Sequence, residues 1–198
     1  MNEQELIAAM KIGDKYAFDQ FINDYRDYIF TLSMRVIKKK ELAEEITQDV
    51  FLKIYQNIET FKQASKLSTW IYSITYRTAL NYLQQNPQQL QPLPEPKDQS
   101  DWTEHKNAWK QISALQDSQA SEGLAEHVNI QHILWKGIDQ LPYVQGVVIT
   151  LYYLNQMKIK EITDVIDLPV NTVKTHLFRG RKELRRILLT QFETEDLI

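Results

Sequence analysis

A short break between two helical patterns near the C-terminus constrains the fold of this chain more than any other feature. Over residues 158–166 the apolar side chains recur at the spacing of one buried helical face, at Ile159, Ile162, Val165 and Ile166. Residues 167–169 interrupt that pattern, and Pro169 suits the first turn of a new helix because its missing N–H is not needed there. The sequence therefore predicts two helices joined by a tight turn.

The second helix of this pair has one apolar side and one polar side. Val170, Val173 and Leu177 are expected to point inward. The side chains left facing outward are Asn171, Thr172, Lys174, Thr175, His176 and Arg179. Amides and hydroxyls can contact base edges in a major groove, and cations can contact phosphates. The pattern is typical of a DNA-binding helix-turn-helix, although an ordinary pair of surface helices would share it.

Composition favours an all-α protein. The 198 residues include only five glycines, 43% of them are hydrophobic, and helical periodicity dominates over strand-like alternation. Cysteine is absent, which excludes disulfides, thiolate catalysis and cysteine-containing zinc sites. No apolar run approaches the roughly 20 residues of a membrane span, and the N-terminus lacks the basic start and apolar middle of a signal peptide. We therefore expect a cytoplasmic protein without direct membrane insertion.

Charge is unevenly distributed, although the chain as a whole has a net charge of −3. Residues 158–186 contain eight Lys or Arg against four Asp or Glu, whereas residues 86–126 contain three basic and seven acidic side chains. A basic patch on one module is the relevant indication of nucleic-acid binding. Because the local excess of +4 is modest, we expect this module alone to bind DNA weakly.

A segment rich in proline and glutamine divides the chain. Residues 84–101 contain four prolines and six glutamines, which disfavour a continuous helix and are typical of a linker. We therefore expect two small helical domains joined by this linker. The predicted division is an N-terminal domain at 1–85, a partly helical linker at 86–127, a C-terminal domain at 128–190 and an acidic tail at 191–198.

The N-terminal module has the pattern of four or five helices. The clearest are expected at residues 16–37, 42–55 and 69–83, with Ser68 or Thr69 capping the third. In the third helix the core is expected to form from Trp70, Ile71, Ile74, Leu80 and Leu83. Tyr72, Tyr76 and Thr78 are then left for the other faces.

Three segments, in this order, resemble the bacterial sigma factors of the extracytoplasmic-function (ECF) type. ELAEEITQDVFLKIYQNI is similar to the polymerase-binding helix of that family, and FKQASKLSTWIYSITYRTALNYLQQ to its loop and helix for the −10 promoter element. The segment from Leu141 to Leu184 resembles the domain that recognises the −35 element. A single helix-turn-helix is a weak indication, but three ordered motifs around a variable linker are a strong one.

The resemblance implies a transcription initiation factor that binds core RNA polymerase, directs it to promoters and aids melting, with no catalytic residue, metal or cofactor. The polymerase-binding residues it implies are Glu44, Glu45, Gln48 and Asp49. For the −10 element it implies Lys62, Gln63, Ser65, Lys66, Ser68, Arg77, Thr78 and Asn81. For the −35 element it implies Lys160, Asn171, Thr172, Lys174, Thr175, His176 and Arg179.

The implied partners are core RNA polymerase, promoter DNA and an anti-sigma protein, with no small-molecule substrate. Several residues depart from the family's usual pattern: Gly146 stands where arginine is common, Gln84 and Gln85 stand where basic residues are common, and two further departures concern the helix-turn-helix. Asp167 stands at the turn where many relatives have glycine, although Asp tolerates a left-handed backbone better than most residues. His176 stands where arginine is common, and a histidine is largely neutral at pH 7. Together these departures indicate low intrinsic affinity for DNA and dependence on polymerase.

Two other classes of protein share part of this pattern. A conventional helix-turn-helix regulator would act without core polymerase, and a helical adaptor would use the exposed cations only for solubility. The first two motifs argue against both classes. An enzyme is least expected, because the four histidines form no pair at metal-ligand spacing and the sequence has no glycine-rich phosphate loop.

Overall fold

The computed structural model describes residues 1–86 and 133–195, with side chains to residue 190, and all regular elements within these ranges are helical. The N-terminal elements are α1 (Glu3–Lys11), α2 (Lys15–Ile37), α3 (Lys40–Asn57), a 3-10 turn (Ile58–Thr60) and α4 (Leu67–Gln85). The C-terminal elements are α5 (133–140), α6 (Tyr143–Ile149), a π-helical turn (Thr150–Leu154), α7 (Ile159–Ile166) and α8 (Val170–Glu195). The all-α prediction is confirmed. The predicted linker, with its partly helical segment at 102–126, lies outside the described residues.

Helix α4 begins earlier than the sequence indicated. Its first residue is Leu67, and Lys66 precedes it without a side-chain capping bond. The prediction that Ser68 or Thr69 caps this helix is therefore wrong. Leu67 is fully buried, so its anchoring in the core extends the helix toward the N-terminus and leaves both hydroxyl residues inside the first turn.

The core of the N-terminal domain lies between α2, α3 and α4. It is built around side chains that are fully or almost fully buried, namely Phe21, Ile29, Leu32, Val50, Ile54, Ile71 and Leu83. Tyr72 and Tyr76 are also buried, contrary to the expectation that they lie outside the core. The physical reason is that α4 is covered twice, by α2 and α3 on one side and by α7 on another.

In the C-terminal domain α6 is the central element, and all seven of its residues are buried. Two glycines allow neighbouring helices to approach closely. A Cβ atom at Gly137 would lie 2.8 Å from Leu184 Cδ1, and one at Gly180 would lie 3.0 Å from Ile149 Cγ1. The absence of a side chain at these positions therefore brings α8 against α5 and α6.

The predicted helix-turn-helix is present as α7, a tight turn and α8. Asp167 has φ 54° and ψ 45°, so the expected left-handed turn residue is confirmed. Val173 and Leu177 are buried as expected, but Val170 is 43% exposed and does not point into the core. Val170 is the first residue of α8 and follows the turn directly, so it lies at the end of the helix rather than within its packed face. Helix α8 continues to Glu195, so the predicted tail begins within a helix.

The two domains pack against each other in a closed arrangement. Arg35, at the end of α2, forms an ion pair with Asp139 and lies 4.7 Å from the ring centroid of Trp135. Lys38 donates to the carbonyl of Asp139, and Asn155 donates to the Tyr72 hydroxyl at 2.8 Å. The buried residues of both domains form one hydrophobic cluster, so the domains share a core. None of the described helices is long and apolar enough to cross a membrane.

Candidate polymerase and nucleic-acid interfaces

Helix α3 presents an acidic and polar stripe on the side away from the core. Ala43, Ile46 and Val50 are buried, and their spacing leaves the four predicted polymerase-binding residues exposed. These are Glu44, Glu45, Gln48 and Asp49. Lys40 lies 3.9 Å from Glu44, a distance at which an exposed pair is a weak interaction. The stripe is therefore available to a basic partner surface.

Two apolar side chains extend this stripe beyond the predicted set. Leu52 is 58% exposed and Tyr55 is 59% exposed, one turn and two turns beyond Gln48 on the same face. Sequence reasoning missed them because apolar residues in an amphipathic helix are assigned to the core by default. Their helical spacing from Gln48 was the signal that could have found them.

The predicted −10 loop lies between the 3-10 turn and α4. Phe61 is buried at its base, where its ring packs on Trp70 with centroids 5.0 Å apart, and Lys11 donates to the Phe61 carbonyl at 2.8 Å. All five residues of the loop at 62–66 are exposed, including the predicted Lys62, Gln63, Ser65 and Lys66, and Ser68 follows half-buried on α4. Trp70 is therefore part of the packing under the loop rather than a free stacking surface.

The loop is also in contact with the helix-turn-helix. Lys66 Nζ lies 2.8 Å from a carboxylate oxygen of Glu161 in α7. The pKa of Glu161 is lowered, first by the hydrogen bond from Lys66 and then by the bond from the Lys158 backbone N–H. One of the predicted −10 cations is thus engaged by the domain that carries the predicted −35 residues.

The predicted −10 residues on α4 differ in their accessibility. Arg77 and Asn81 are exposed. Thr78 is 8% exposed, contrary to its expected place on an outer face, and its hydroxyl accepts a hydrogen bond from Lys53 Nζ at 3.1 Å. Arg77 and Asn81 form an accessible pair on one face of α4, whereas Thr78 lies below the surface.

On α8 the predicted −35 residues form one partly exposed face. Asn171 is exposed, whereas Thr172, Lys174, Thr175, His176 and Arg179 are half-buried. The Thr175 hydroxyl donates to the Asn171 carbonyl at 2.8 Å, which leaves its lone pairs for an incoming donor. Lys160 is exposed on α7. This face combines amide, hydroxyl and cationic groups in the arrangement that a major groove accepts.

His176 differs from the cations beside it. Burial lowers the pKa of its imidazole, and the positive charge of Arg179 lowers the pKa further. Its Nδ1 atom is buried without a hydrogen-bond partner among the described residues. The side chain is therefore neutral at physiological pH, so the cations of this face are Lys174 and Arg179.

The residues that join the domains were not found by sequence reasoning. Arg35 and Asp139 are 104 positions apart, and Lys66 and Glu161 are 95 positions apart, so no local periodicity relates them. One signal was available at Arg35, which lies three residues after Leu32 and therefore on the buried side of α2. Because burial of an unpaired charge is costly, a cation on a buried helical face predicts a partner of opposite charge.

Comparison with known proteins identifies the class of protein that has these domains and this fold. Residues 21–87 match Sigma-70 region 2, and residues 131–184 match Sigma-70, region 4. The fold is similar to CnrH in a complex with the cytosolic domain of CnrY, with a TM-score of 0.60 and 14% identity over 95% of this chain and 97% of that one. It is also similar to RpoE in a complex with the anti-sigma factor NepR from Bartonella quintana, with a TM-score of 0.59 and 16% identity over 86% and 96%. The fold and its motifs are those of a two-domain sigma-70 protein.

Similarity to curated relatives identifies the family within this class of sigma-70 proteins. The chain is 30% identical over 182 residues to the ECF RNA polymerase sigma factor SigW of Bacillus subtilis, which covers 92% of this chain and 94% of the relative. It is 28% identical over 184 residues to the ECF RNA polymerase sigma-E factor of Escherichia coli K12, with 93% of each chain covered. The chain belongs to the ECF family of RNA polymerase sigma factors. It is a transcription initiation factor rather than an enzyme.

Proposed function

We propose that the chain docks on core RNA polymerase through the exposed side of α3. Glu44, Glu45 and Asp49 supply charge that steers a basic surface into register, and Gln48 supplies an amide for hydrogen bonding on the same face. Leu52 and Tyr55 supply apolar area at one end of the same face. The observation that best supports this role is that exposed acidic and exposed apolar side chains lie together on one face of α3. Nucleic acid would avoid this face, because its carboxylates repel phosphates.

Promoter recognition is divided between the two domains in this proposal. Lys62 and Lys66 follow the backbone of the −10 strand, and Gln63, Ser65 and Ser68 hydrogen-bond to an extruded base. The exposed Arg77 and Asn81 lie along the path of that strand, whereas the buried Thr78 does not contact it. In the C-terminal domain Asn171, Thr172, Thr175 and neutral His176 face base edges, whereas Lys160, Lys174 and Arg179 contact phosphates. Polymerase supplies much of the affinity, because the basic excess of the C-terminal module is small.

The proposed partners are core RNA polymerase, promoter DNA and an anti-sigma protein. Two proteins of similar fold are described in complexes, one with the cytosolic domain of CnrY and one with the anti-sigma factor NepR. The proposed site of action is the cytoplasm, where bacterial polymerase and chromosome are found. The proposed domains remain 1–85 and 128–190, with a linker at 86–127 and a tail at 191–198.

Run-off transcription tests this function directly. The purified full chain is mixed with core polymerase and a promoter library, and co-elution of chain and core is measured in parallel. We expect transcripts that start at a defined set of promoters and depend on the added chain. The proposal is wrong if no promoter-specific transcript forms and the chain does not co-elute with core polymerase.

A further inference from the structure

A contact between one cation and two aromatic rings joins the second helix of the helix-turn-helix to the π-helical turn. The guanidinium carbon of Arg181, on α8, lies 5.4 Å from the ring centroid of Tyr152 and 5.2 Å from that of Tyr153. The two tyrosine rings pack edge to face, with centroids 4.9 Å apart and planes at 77°. Because a guanidinium is planar and stacks on aromatic faces, two rings define its orientation better than one ring would.

The π-helical turn presents both tyrosines to the same arginine. In a regular α-helix consecutive side chains point about 100° apart, so neighbouring residues seldom share one contact. The turn at Thr150–Leu154 is wider, and the Asn155 N–H donates to the carbonyl of Thr150, five residues back, at 3.1 Å. A wider turn rotates consecutive residues through a smaller angle, which brings Tyr152 and Tyr153 toward one side. Such turns are frequent at functional sites.

The environment of Arg181 is unusual for a cation in a surface helix. The side chain is half-buried, and its Nε atom is buried without a hydrogen-bond partner within residues 1–86 and 133–190. Burial raises the pKa of Tyr153 to about 12, and the positive charge of Arg181 opposes that rise. The phenol is neutral at physiological pH, so the contact joins a cation to ring faces and is not an ion pair. Because burial of such a cation is costly, its presence indicates a role beyond packing.

Two consecutive residues of α8 restrict its rotation about its own axis. Gly180 allows the close approach to α6, where an added Cβ atom would lie 3.0 Å from Ile149 Cγ1. Arg181 joins the adjacent side of the helix to the π-helical turn. Contacts on two sides of the axis hold the helix more firmly than contact on one side. The proposed −35 residues at 171–179 directly precede this pair, so the direction of their side chains depends on it.

Arg181 lies at the boundary between the core side and the −35 side of α8. It follows Leu177 by four residues and precedes Leu184 by three, and both leucines are buried. A basic residue in a DNA-binding helix is expected to contact phosphate. This one already lies on the rings of Tyr152 and Tyr153, so its cation is engaged within the domain.

We propose that Arg181 is a positioning residue for −35 recognition, which holds α8 on the rings of Tyr152 and Tyr153 so that the side chains at 171–179 meet base edges in register. The inference rests on the proposed −35 role of those side chains. Groups that bind a target must be held within roughly 0.5 Å and 10–20° of the productive geometry by a supporting shell of contacts. In this role Arg181 itself contacts neither bases nor phosphates.

Binding of the holoenzyme to two promoter fragments tests this role. The full chain with core polymerase is titrated against a promoter recovered from the run-off library and against the same fragment with a scrambled −35 element. We expect Arg181→Met to weaken binding of the intact fragment about tenfold and of the scrambled one less than about twofold, because base readout needs a fixed helix. A Tyr152→Leu/Tyr153→Leu variant should have the same effect, and the triple variant should bind no more weakly than either.

Two variants serve as controls. Tyr152→Phe/Tyr153→Phe keeps both rings and should bind the intact fragment within about twofold of the unmodified chain. Arg185→Met removes an exposed cation one turn farther along α8 and should also stay within about twofold. Equal weakening of both fragments by Arg181→Met would identify a phosphate contact and would overturn the proposal. Additive effects of the arginine and tyrosine substitutions would overturn it as well.

A measurement without DNA or polymerase keeps this inference distinguishable from the proposed function. Because the chain has no cysteine, spin labels can be attached at Asp164→Cys on α7 and Lys182→Cys on α8, which are both exposed positions. We expect Arg181→Met to broaden the distance distribution from double electron–electron resonance about twofold, because α8 gains alternative orientations. Equal binding of the two fragments by the unmodified chain would contradict the proposed −35 function. An unchanged distance distribution in Arg181→Met would overturn the positioning role whatever the DNA result.

Discussion

The outer face of α3 and the −10 segment (residues 61–85) belong to the same domain, but they differ in their contact with the second domain. The carboxylates of α3 are exposed and face away from the second domain. The −10 segment is in contact with α7, because Lys66 pairs with Glu161 and the Ser73 hydroxyl lies 3.4 Å from the Asp164 carbonyl. In the proposed function this difference implies an order of events: polymerase docks on the closed protein, whereas full use of the −10 segment requires the domains to separate.

The largest expected effect concerns α3. A Glu45→Lys/Asp49→Lys double variant places cations against a basic surface, and we expect the affinity for core polymerase to fall about 100-fold. Fluorescence anisotropy of labelled protein titrated with core polymerase measures the change. Since both residues are exposed, thermal stability should stay the same. A comparable loss in a Glu59→Lys variant would show that the α3 face has no special role.

The next effect concerns the contact that closes the molecule. An Asp139→Ala variant leaves the guanidinium of Arg35, only 5% exposed, without its carboxylate. We expect the free energy of unfolding to fall by about 2 kcal/mol, less than for a fully buried pair because Asp139 is 49% exposed. Urea denaturation followed by circular dichroism measures it. A Glu183→Gln variant, which removes the exposed pair with Arg186, should cost less than about 0.5 kcal/mol.

A smaller effect is expected at the −10 loop, where it tests whether contact with the second domain restricts DNA binding. A Glu161→Gln variant removes the negative charge opposite Lys66, while the Gln side chain can still accept from the Lys158 N–H. We expect affinity for a single-stranded −10 oligonucleotide to rise about twofold, because the competing charge is gone. An unchanged affinity would mean that the Lys66–Glu161 contact does not restrict the loop.

The same contact has a pH dependence with a defined sign. The folded-state pKa of Glu161 is lowered, so its stabilisation is present above the ordinary carboxylate pKa and is lost as pH falls through the folded-state value. Thermal unfolding from pH 6 to pH 3 should therefore show a smaller loss of stability for Glu161→Gln than for the unmodified chain. Parallel losses in the two proteins would contradict this assignment.

The smallest expected effect distinguishes His176, which is neutral at physiological pH, from the cations of α8 by its pH dependence. Burial lowers the folded-state pKa of His176, so the unfolded chain takes up its proton first as pH falls below the ordinary value of about 6.5. Stability should decline as pH falls through that window, and a His176→Gln variant should lack that part of the decline. Binding of −35 duplex DNA should be unchanged between pH 7 and pH 8, whereas Lys174→Ala should weaken it at both values.

The sequence predicted much of the fold because most helices have a local signal. Apolar spacing gave α2 and α3 to within a few residues, and Asp167 and Pro169 marked the turn before α8. Prediction failed where a neighbouring element decided the outcome. Tyr72, Tyr76 and Thr78 were expected outside the core, since a spacing pattern gives one buried face and cannot show that another element covers a second one. The second domain lies against Tyr72, whereas α3 of the same domain lies against Thr78.

The sequence by itself determined that the chain is all-α, that its C-terminal part is a helix-turn-helix, and that the −10 and polymerase motifs precede it. Those features are encoded within runs of about 10 to 25 residues, the length over which helical spacing and turn residues act. Only the tertiary structure decided how the domains meet. The two ion pairs that join the domains, Arg35 with Asp139 and Lys66 with Glu161, connect residues about 100 positions apart, and such pairs have no periodic signature.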